Sequence, residues 1–221
     1  KRNQPELYDR IARVMLPKDY IRYRLGGTIE TDETDAVGSL VFSVKKREWC
    51  SRLLKELDIS EALFPPVVKP YSVTGQVSQR AAEETGLKEG TVLTAGGADS
   101  AMQLTGNGII REGTLACNIG TGSQILAVTS GPVYDRKLRT QTLCHSIPGL
   151  WYPQGGSLNG GSTLNWLRNR LLKTEAGYSL LDEAAGDVAA GCEGLTFLPY
   201  LSGERVPYQN PDAKGVFFGF T

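Results

Sequence analysis

The sequence predicts an α/β protein, and three observations predict it. Apolar residues recur at helical spacing in several stretches between Leu7 and Thr85. Two short β-rich runs, Thr114 to Ile119 and Gln124 to Thr129, flank the turn Gly120-Thr121-Gly122-Ser123. Between these regions an apolar run from Thr91 to Ala95 leads through Gly96-Gly97-Ala98-Asp99-Ser100 into Ala101, Met102 and Leu104, a strand, a turn and a helix. With 221 residues, 40% of them hydrophobic, the chain can form one large domain or two small ones.

The helices come first. Leu7, Ile11, Val14 and Met15 recur at helical spacing, and Pro17 restarts the chain at a first-turn position. Tyr20, Ile21 and Leu25 continue on one face until Gly26-Gly27. Thr31-Asp32 is a second N-cap candidate, leading into Asp35, Ala36 and Gly38. Trp49, Leu53, Leu54 and Leu57 form a third amphipathic stretch, and Pro65-Pro66 marks an extended connection. Ser78 caps a helix through Ala81, Ala82 and Thr85, which Gly86 stops. Thr91 to Ala95 reads as a buried strand. Past the glycine hairpin, Leu143 to Ile147 and Trp151 to Gln154 are short strands. The glycine-rich run from Gly155 to Ser162 then opens onto a helix with Leu164, Leu167, Leu171 and Leu172 on one face. Leu195 to Leu198 is a further strand.

Composition excludes several functions. Lys and Arg total 24, as do Asp and Glu, so no long-range field draws in nucleic acid or an anionic membrane. No apolar run reaches the length of a membrane span, and no signal peptide is visible. Cys50, Cys117, Cys144 and Cys192 are scattered with no CxxC pair and read as reduced, mostly buried thiols of a cytosolic protein. The first residue, Lys1, and the strand pattern that reaches Thr221 predict the middle of a longer protein.

Three turns carry chemistry. Asp99 places a carboxylate at the C-terminal end of a strand and the positive end of a helix. Backbone amides of Gly120 to Ser123 are predicted to face an anion, with the Thr121 and Ser123 hydroxyls beside them. The third turn, Gly160-Gly161 at a helix N-terminus, is a second anion site. Each has a plainer alternative when taken alone: Asp99 as an N-cap, the GTG turn as an ordinary hairpin, the third turn as a helix entry without a ligand. A Rossmann reading of GTGS needs a helix where Ile125 to Thr129 gives a strand, and there is no GxxxxGK[ST]. His145 is the single histidine, and no serine sits in a G-x-S-x-G elbow, so histidine-built zinc sites and serine triads are disfavoured. Next to Cys144, His145 reads as a packed strand residue.

The run GGADSAMQLTGNGIIREGTLACNIGTGS resembles the interdomain core of the FGGY carbohydrate kinases, most closely their xylulokinase branch. Lys1 to Glu6 resembles the tail of that family's first signature, and Gly215 to Phe220 the opening of its second. The segment Pro199-Tyr200-Leu201-Ser202-Gly203-Glu204-Arg205 points to the same branch, which also holds gluconate kinases. The resemblance implies a ribonuclease-H-like, actin-like ATPase fold of two domains, only partly covered here. Residues 1–110 would be the end of the sugar-binding domain and residues 111–221 the start of the nucleotide-binding domain.

It also implies a reaction: phosphoryl transfer from MgATP to a sugar hydroxyl, D-xylulose giving D-xylulose 5-phosphate, with ATP and Mg²⁺ as cofactors. Asp99 would be the catalytic base and touch the sugar together with Ser100. Gly120, Thr121 and Gly122 would cradle the phosphates, and Gly161 and Asn165 would touch ATP or ADP. No protein ligand for the metal is assigned. Asp99 and the GTG turn are expected to line one cleft. Ser100 stands where the family's sugar kinases often carry Asn or Gln, which loosens the assignment of the sugar. Another polyol, gluconate or another ketose is the alternative within the family, and a non-sugar actin-like ATPase is the alternative outside it. The partners implied are the sugar and ATP, in the cytoplasm, with a homodimer left open. The 221-residue stretch alone is expected to bind ATP weakly and turn over no sugar.

Overall fold

The computed structural model describes residues 1–220. The chain divides into two compact units: Lys1–Thr114 with Val128–Val133 and Thr142–Tyr152, and Leu115–Ala127 with Tyr134–Gln141 and Pro153–Thr221.

The first unit opens with α1 (Pro5–Asp9) and α2 (Pro17–Gly26). The helix predicted through Met15 ends at Asp9 instead. Leu16 precedes Pro17 and takes the extended backbone that proline imposes on its predecessor. Val14 donates its amide to the Leu63 carbonyl at 2.8 Å rather than to a helical partner. Pro17 stands in the first turn of α2, as expected, and Gly27 closes that helix in the left-handed region. Strand β1 (Thr31–Asp32) leads directly into α3 (Glu33–Ala36), whose N-cap Asp32 accepts the Thr34 and Asp35 amides. The hairpin of β2 (Phe42–Ser43) and β3 (Glu48–Trp49) precedes α4 (Ser51–Glu56), and β4 (Val67–Val68) lies parallel to β1. Strand β5 (Val73–Gln76), α5 (Gln79–Thr85), β6 (Val92–Thr94) and α6 (Asp99–Gly106) follow. Ser78 caps α5 by accepting the Ala81 amide, and Gly86 ends it.

Strand β6 is not buried. It pairs with β5 in a two-stranded ribbon, so its second face stays open; Val92 is 53% exposed, and only Ala95 just beyond it is enclosed. The core of this unit lies elsewhere, around Ala36, Val37, Phe42 and Cys144, with Trp49, Val67 and Trp151 packed on it. Buried Glu33 takes Arg47 at 2.5 Å and Lys69 at 2.7 Å, and the Arg47 guanidinium also lies over the Trp151 ring. His145 is a packed residue: Nε2 meets the Ile109 carbonyl at 3.0 Å, and Nδ1 accepts the Ile147 amide at 3.0 Å.

In the second unit β7 (Leu115–Ile119) and β8 (Ser123–Ala127) form the predicted antiparallel hairpin, closed by the Ile119–Ser123 pair. Strands β9 (Gln141–Cys144) and β10 (Trp151–Ser157) each have residues in both units. The β10 segment from Gln154 to Ser157 runs antiparallel to β8. Gly155, Gly156 and Ser157 therefore belong to a strand, not to the predicted glycine turn, which shrinks to the residues just before α7 (Ser162–Trp166). Helix α7 widens into a π-helical segment over Leu167–Leu172. Leu164, Leu171 and Leu172 lie at the surface, so the apolar face read from the sequence is not buried in this unit. Helix α8 (Tyr178–Gly186) and the antiparallel pair β11 (Thr196–Leu198) and β12 (Val216–Phe218) complete the unit, with Phe197 stacked on Phe217 at 4.3 Å.

Two cysteines depart from expectation. Cys144 is buried, which pushes its thiol up to about 11, but Cys117 and Cys192 are exposed. Cys117 shares the open face of β7 with Leu115 and Ile119, where strand alternation puts it. No described helix is long and apolar enough to cross a membrane.

Candidate active site

Asp99 occupies the first helical position of α6, and the N-cap position falls to Ala98. The carboxylate is exposed; Oδ1 accepts the Ser100 amide at 2.6 Å and the Ser100 hydroxyl at 3.2 Å. Among the described residues it has no cationic partner and does not cap the helix. A carboxylate held this way, with no cation on it, is open to a ligand hydroxyl.

The turn carrying Asp99 is gripped at both ends from within its unit. Arg22 Nη1 donates to the Ala95 carbonyl at 2.6 Å, where β6 ends. On the other side the Ala98 amide donates to Thr34 Oγ1 at 2.9 Å, and that hydroxyl donates to Asp32 Oδ1 at 2.5 Å. Lys18 ties the two grips together, pairing with Asp32 and Asp19 at 2.8 Å each, while Arg22 pairs with Asp19 at 3.2 Å. Asp19 and Asp32 are fully buried, so these are charges held by partners rather than by water. Burial raises the Asp35 carboxyl; Lys18 pulls it back, and the negative charges of Asp32, Asp19 and Asp99 push it up further. A Cβ at Gly97 would come within 2.7 Å of both Thr34 Oγ1 and the Met102 methyl, so the turn has room only for glycine there.

In the second unit the GTG hairpin and the Gly160-Gly161 turn are locked together. Gly160 donates to the Thr121 carbonyl at 2.8 Å, Gly161 to the Gly120 carbonyl at 2.7 Å and Ser162 to Thr121 at 3.2 Å. The approach is close enough that a Cβ on Gly160 would lie 2.4 Å from the Gly122 oxygen. The Gly160 and Gly161 amides are thus spent on the hairpin, as is the Gly120 amide, which donates to Gly122 at 2.8 Å. The Thr121 and Gly122 amides form no backbone bond among the described residues and remain for a ligand. Beside them is a cavity of about 340 Å³ lined by Asn118, Gly120 to Gln124, Gly156 to Leu158 and Arg205. It contains hydroxyls, amides and one cation but no carboxylate, a donor set that fits polyphosphate. Asn165 does not line it; its Oδ1 accepts the Tyr178 hydroxyl. No group of His, Cys, Asp or Glu among the described residues is arranged to hold a metal ion.

Family models of the FGGY carbohydrate kinases match on both sides: the N-terminal domain over residues 1–106 and the C-terminal domain over 115–221. The chain belongs to the FGGY family of carbohydrate kinases. It is 34% identical over 221 residues to a xylulose kinase of Staphylococcus epidermidis, covering 100% of this chain and 44% of that protein. It is 33% identical over 219 residues to the Bacillus subtilis xylulose kinase, covering 99% and 44%. The FGGY chain thus spans less than half the length of the curated relatives it matches. A ligand-bound xylulose kinase from Lactobacillus acidophilus superposes with a TM-score of 0.89 at 29% identity, over 99% of this chain and 44% of that one. A gluconate kinase from the same organism gives a TM-score of 0.91 at 27% identity, over 99% and 44%. These neighbours establish the α/β, actin-like ATPase fold.

The sequence reading missed the supporting residues. Thr34 and Lys18 sit in an ordinary helical stretch, and nothing in their spacing announces contacts with residues near Asp99. Glu204 and Arg205 lie in the segment that marked the branch, yet only the fold shows Arg205 beside the GTG turn.

Proposed function

We propose that the protein to which this chain belongs transfers a phosphoryl group from MgATP to a sugar hydroxyl, with D-xylulose as acceptor and D-xylulose 5-phosphate as product. The observation that carries the reading is the exposed Asp99 carboxylate, unpaired by any cation among the described residues and held on a turn clamped by Arg22 and Thr34. Asp99 accepts the proton of the attacking hydroxyl and orients its oxygen, and the neighbouring Ser100 hydroxyl, which donates to Asp99 Oδ1, joins it in contacting the sugar. The free Thr121 and Gly122 amides receive phosphate oxygens, and Gly120, Gly161 and Asn165 shape the hairpin and the helix behind it. Mg²⁺ would enter with the nucleotide and supply neutralisation of its phosphate charge, with no residue of this chain assigned as its ligand.

The xylulose kinase relatives support the xylulose reading, and the TM-score of 0.91 to a gluconate kinase favours an aldonate as the second reading. The setting we propose is cytoplasmic. Sugar-dependent ADP release by the full-length protein, across a panel of ketoses, aldonates and polyols, tests both: highest kcat/KM on xylulose supports the first, on gluconate the second. ADP release unaffected by every sugar would leave an actin-like ATPase.

A further inference from the structure

We infer that Arg205 is a catalytic residue of this site, the cation that neutralises charge on the phosphoryl group as it moves. The inference rests on the kinase reading above and goes beyond its hairpin amides.

Three observations carry it. Arg205 lines the cavity formed by Gly120 to Ser123, and all of these residues belong to one compact unit. Among the described residues its guanidinium has no carboxylate within ion-pair distance and no hydrogen-bond partner, so its charge is available. Its backbone is fixed by the neighbouring Glu204, which is only 2% exposed. Glu204 Oε1 accepts the Arg205 amide at 2.8 Å and the Leu158 amide at 3.2 Å, and Oε2 accepts the Ser157 hydroxyl at 2.6 Å. Ser157 pairs with Ser123 across β10 and β8, at the base of the GTG turn. A buried carboxylate therefore fastens the root of Arg205 to the strand end that carries the phosphate hairpin.

The buried anion is itself satisfied. Burial raises the Glu204 carboxyl, and the bonds from Ser157 and the Arg205, Leu158 and Val206 amides outweigh that, leaving its pKa below the usual value. Glu204 is thus an anchor and no counter-ion is left over for the guanidinium. Arg205 lines a cavity that carries the free amides and no carboxylate, and its unpaired guanidinium suits a phosphate oxygen, since the planar fork can hold two oxygens at once.

In the reaction the bond from the terminal phosphorus to the bridging oxygen breaks, and its electron pair leaves with ADP. A bond from the acceptor oxygen to phosphorus forms, and the acceptor proton passes to Asp99. Charge moves across the equatorial and leaving oxygens, where a guanidinium contributes most.

The test uses the full-length protein with the sugar that the panel identifies. Arg205→Ala should lower kcat on the order of a hundredfold or more, and Arg205→Lys should recover only part of it. Added guanidine should restore the Ala variant and leave wild type unchanged, which a merely structural residue would not show. Thermal melts establish that each variant is folded; if Arg205→Ala melts early, Arg205→Lys and Arg205→Gln take its place in the comparison. Wild-type kcat in a folded Arg205→Ala or Arg205→Gln protein overturns the inference and leaves the kinase reading intact. Wild type that phosphorylates no sugar defeats the kinase reading itself.

Discussion

The Thr34 hydroxyl accepts the amide of Ala98, the residue immediately before Asp99, at 2.9 Å and donates its own hydrogen bond to Asp32 Oδ1. One side chain thereby couples the N-cap of α3 to the turn that begins α6. Thr34→Val keeps the shape and removes the oxygen, leaving the Ala98 amide without its partner, while Asp32 Oδ1 keeps the Thr34 and Asp35 amides. An unsatisfied amide of this kind costs about 1–3 kcal/mol. Urea unfolding should show the variant destabilised by that order, and kcat should fall with little change in KM for ATP. Unchanged stability and turnover would mean that the clamp does not hold the Asp99 turn.

Gly160→Ala tests the lock between the two glycine turns. The added Cβ would lie 2.4 Å from the Gly122 oxygen, backbone against backbone, so one of the turns must move. ATP affinity should fall about tenfold or more while affinity for the sugar stays near wild type, since a shift of this kind costs at least 1–3 kcal/mol. Calorimetry with each ligand separately checks this.

His145 makes a pH prediction. Burial lowers its pKa below the ordinary value, with the bond to the Ile109 carbonyl opposing and the Arg47 charge adding to the depression. The folded state therefore favours the neutral ring, with Nε2–H donating to Ile109 and Nδ1 accepting from Ile147. A depressed folded pKa contributes stability that is complete above the unfolded value and is lost as pH falls through the folded one. Acidification from neutral pH through the unfolded value of about 6.5 should weaken the protein, and His145→Gln should flatten that dependence. A histidine titrating at or above the unfolded value in NMR spectra would contradict the assignment.

The local elements legible in the sequence were those with their own stop signals. Pro17, Gly27, Ser78 and Gly86 bound α2 and α5 because each acts on the backbone within one turn. The GTG hairpin was legible for the same reason. The helix expected through Met15 failed because spacing alone cannot see that Val14 bonds to Leu63. Gly155 and Gly156 looked like a turn because glycine permits one, yet β8 pairs with them from a distance the sequence does not show. The site divides in the same way. Asp99 and Gly120 to Gly122 stand in local motifs, whereas Thr34, Lys18 and Arg205 matter through contacts set by the fold.

The most direct test of the central claim is kcat for Asp99→Asn in the full-length protein, on the sugar it uses best. Asn keeps the shape, and among the described residues Asp99 neither caps α6 nor pairs with a cation, so folding and ATP affinity should be nearly unchanged. Losing a positioned base should reduce kcat roughly a hundredfold to ten-thousandfold, about 3 to 5 kcal/mol of barrier, with KM for ATP little altered. A folded Asn variant that keeps more than about a tenth of wild-type kcat, well above what loss of a base allows, would contradict the assignment of Asp99 as the base.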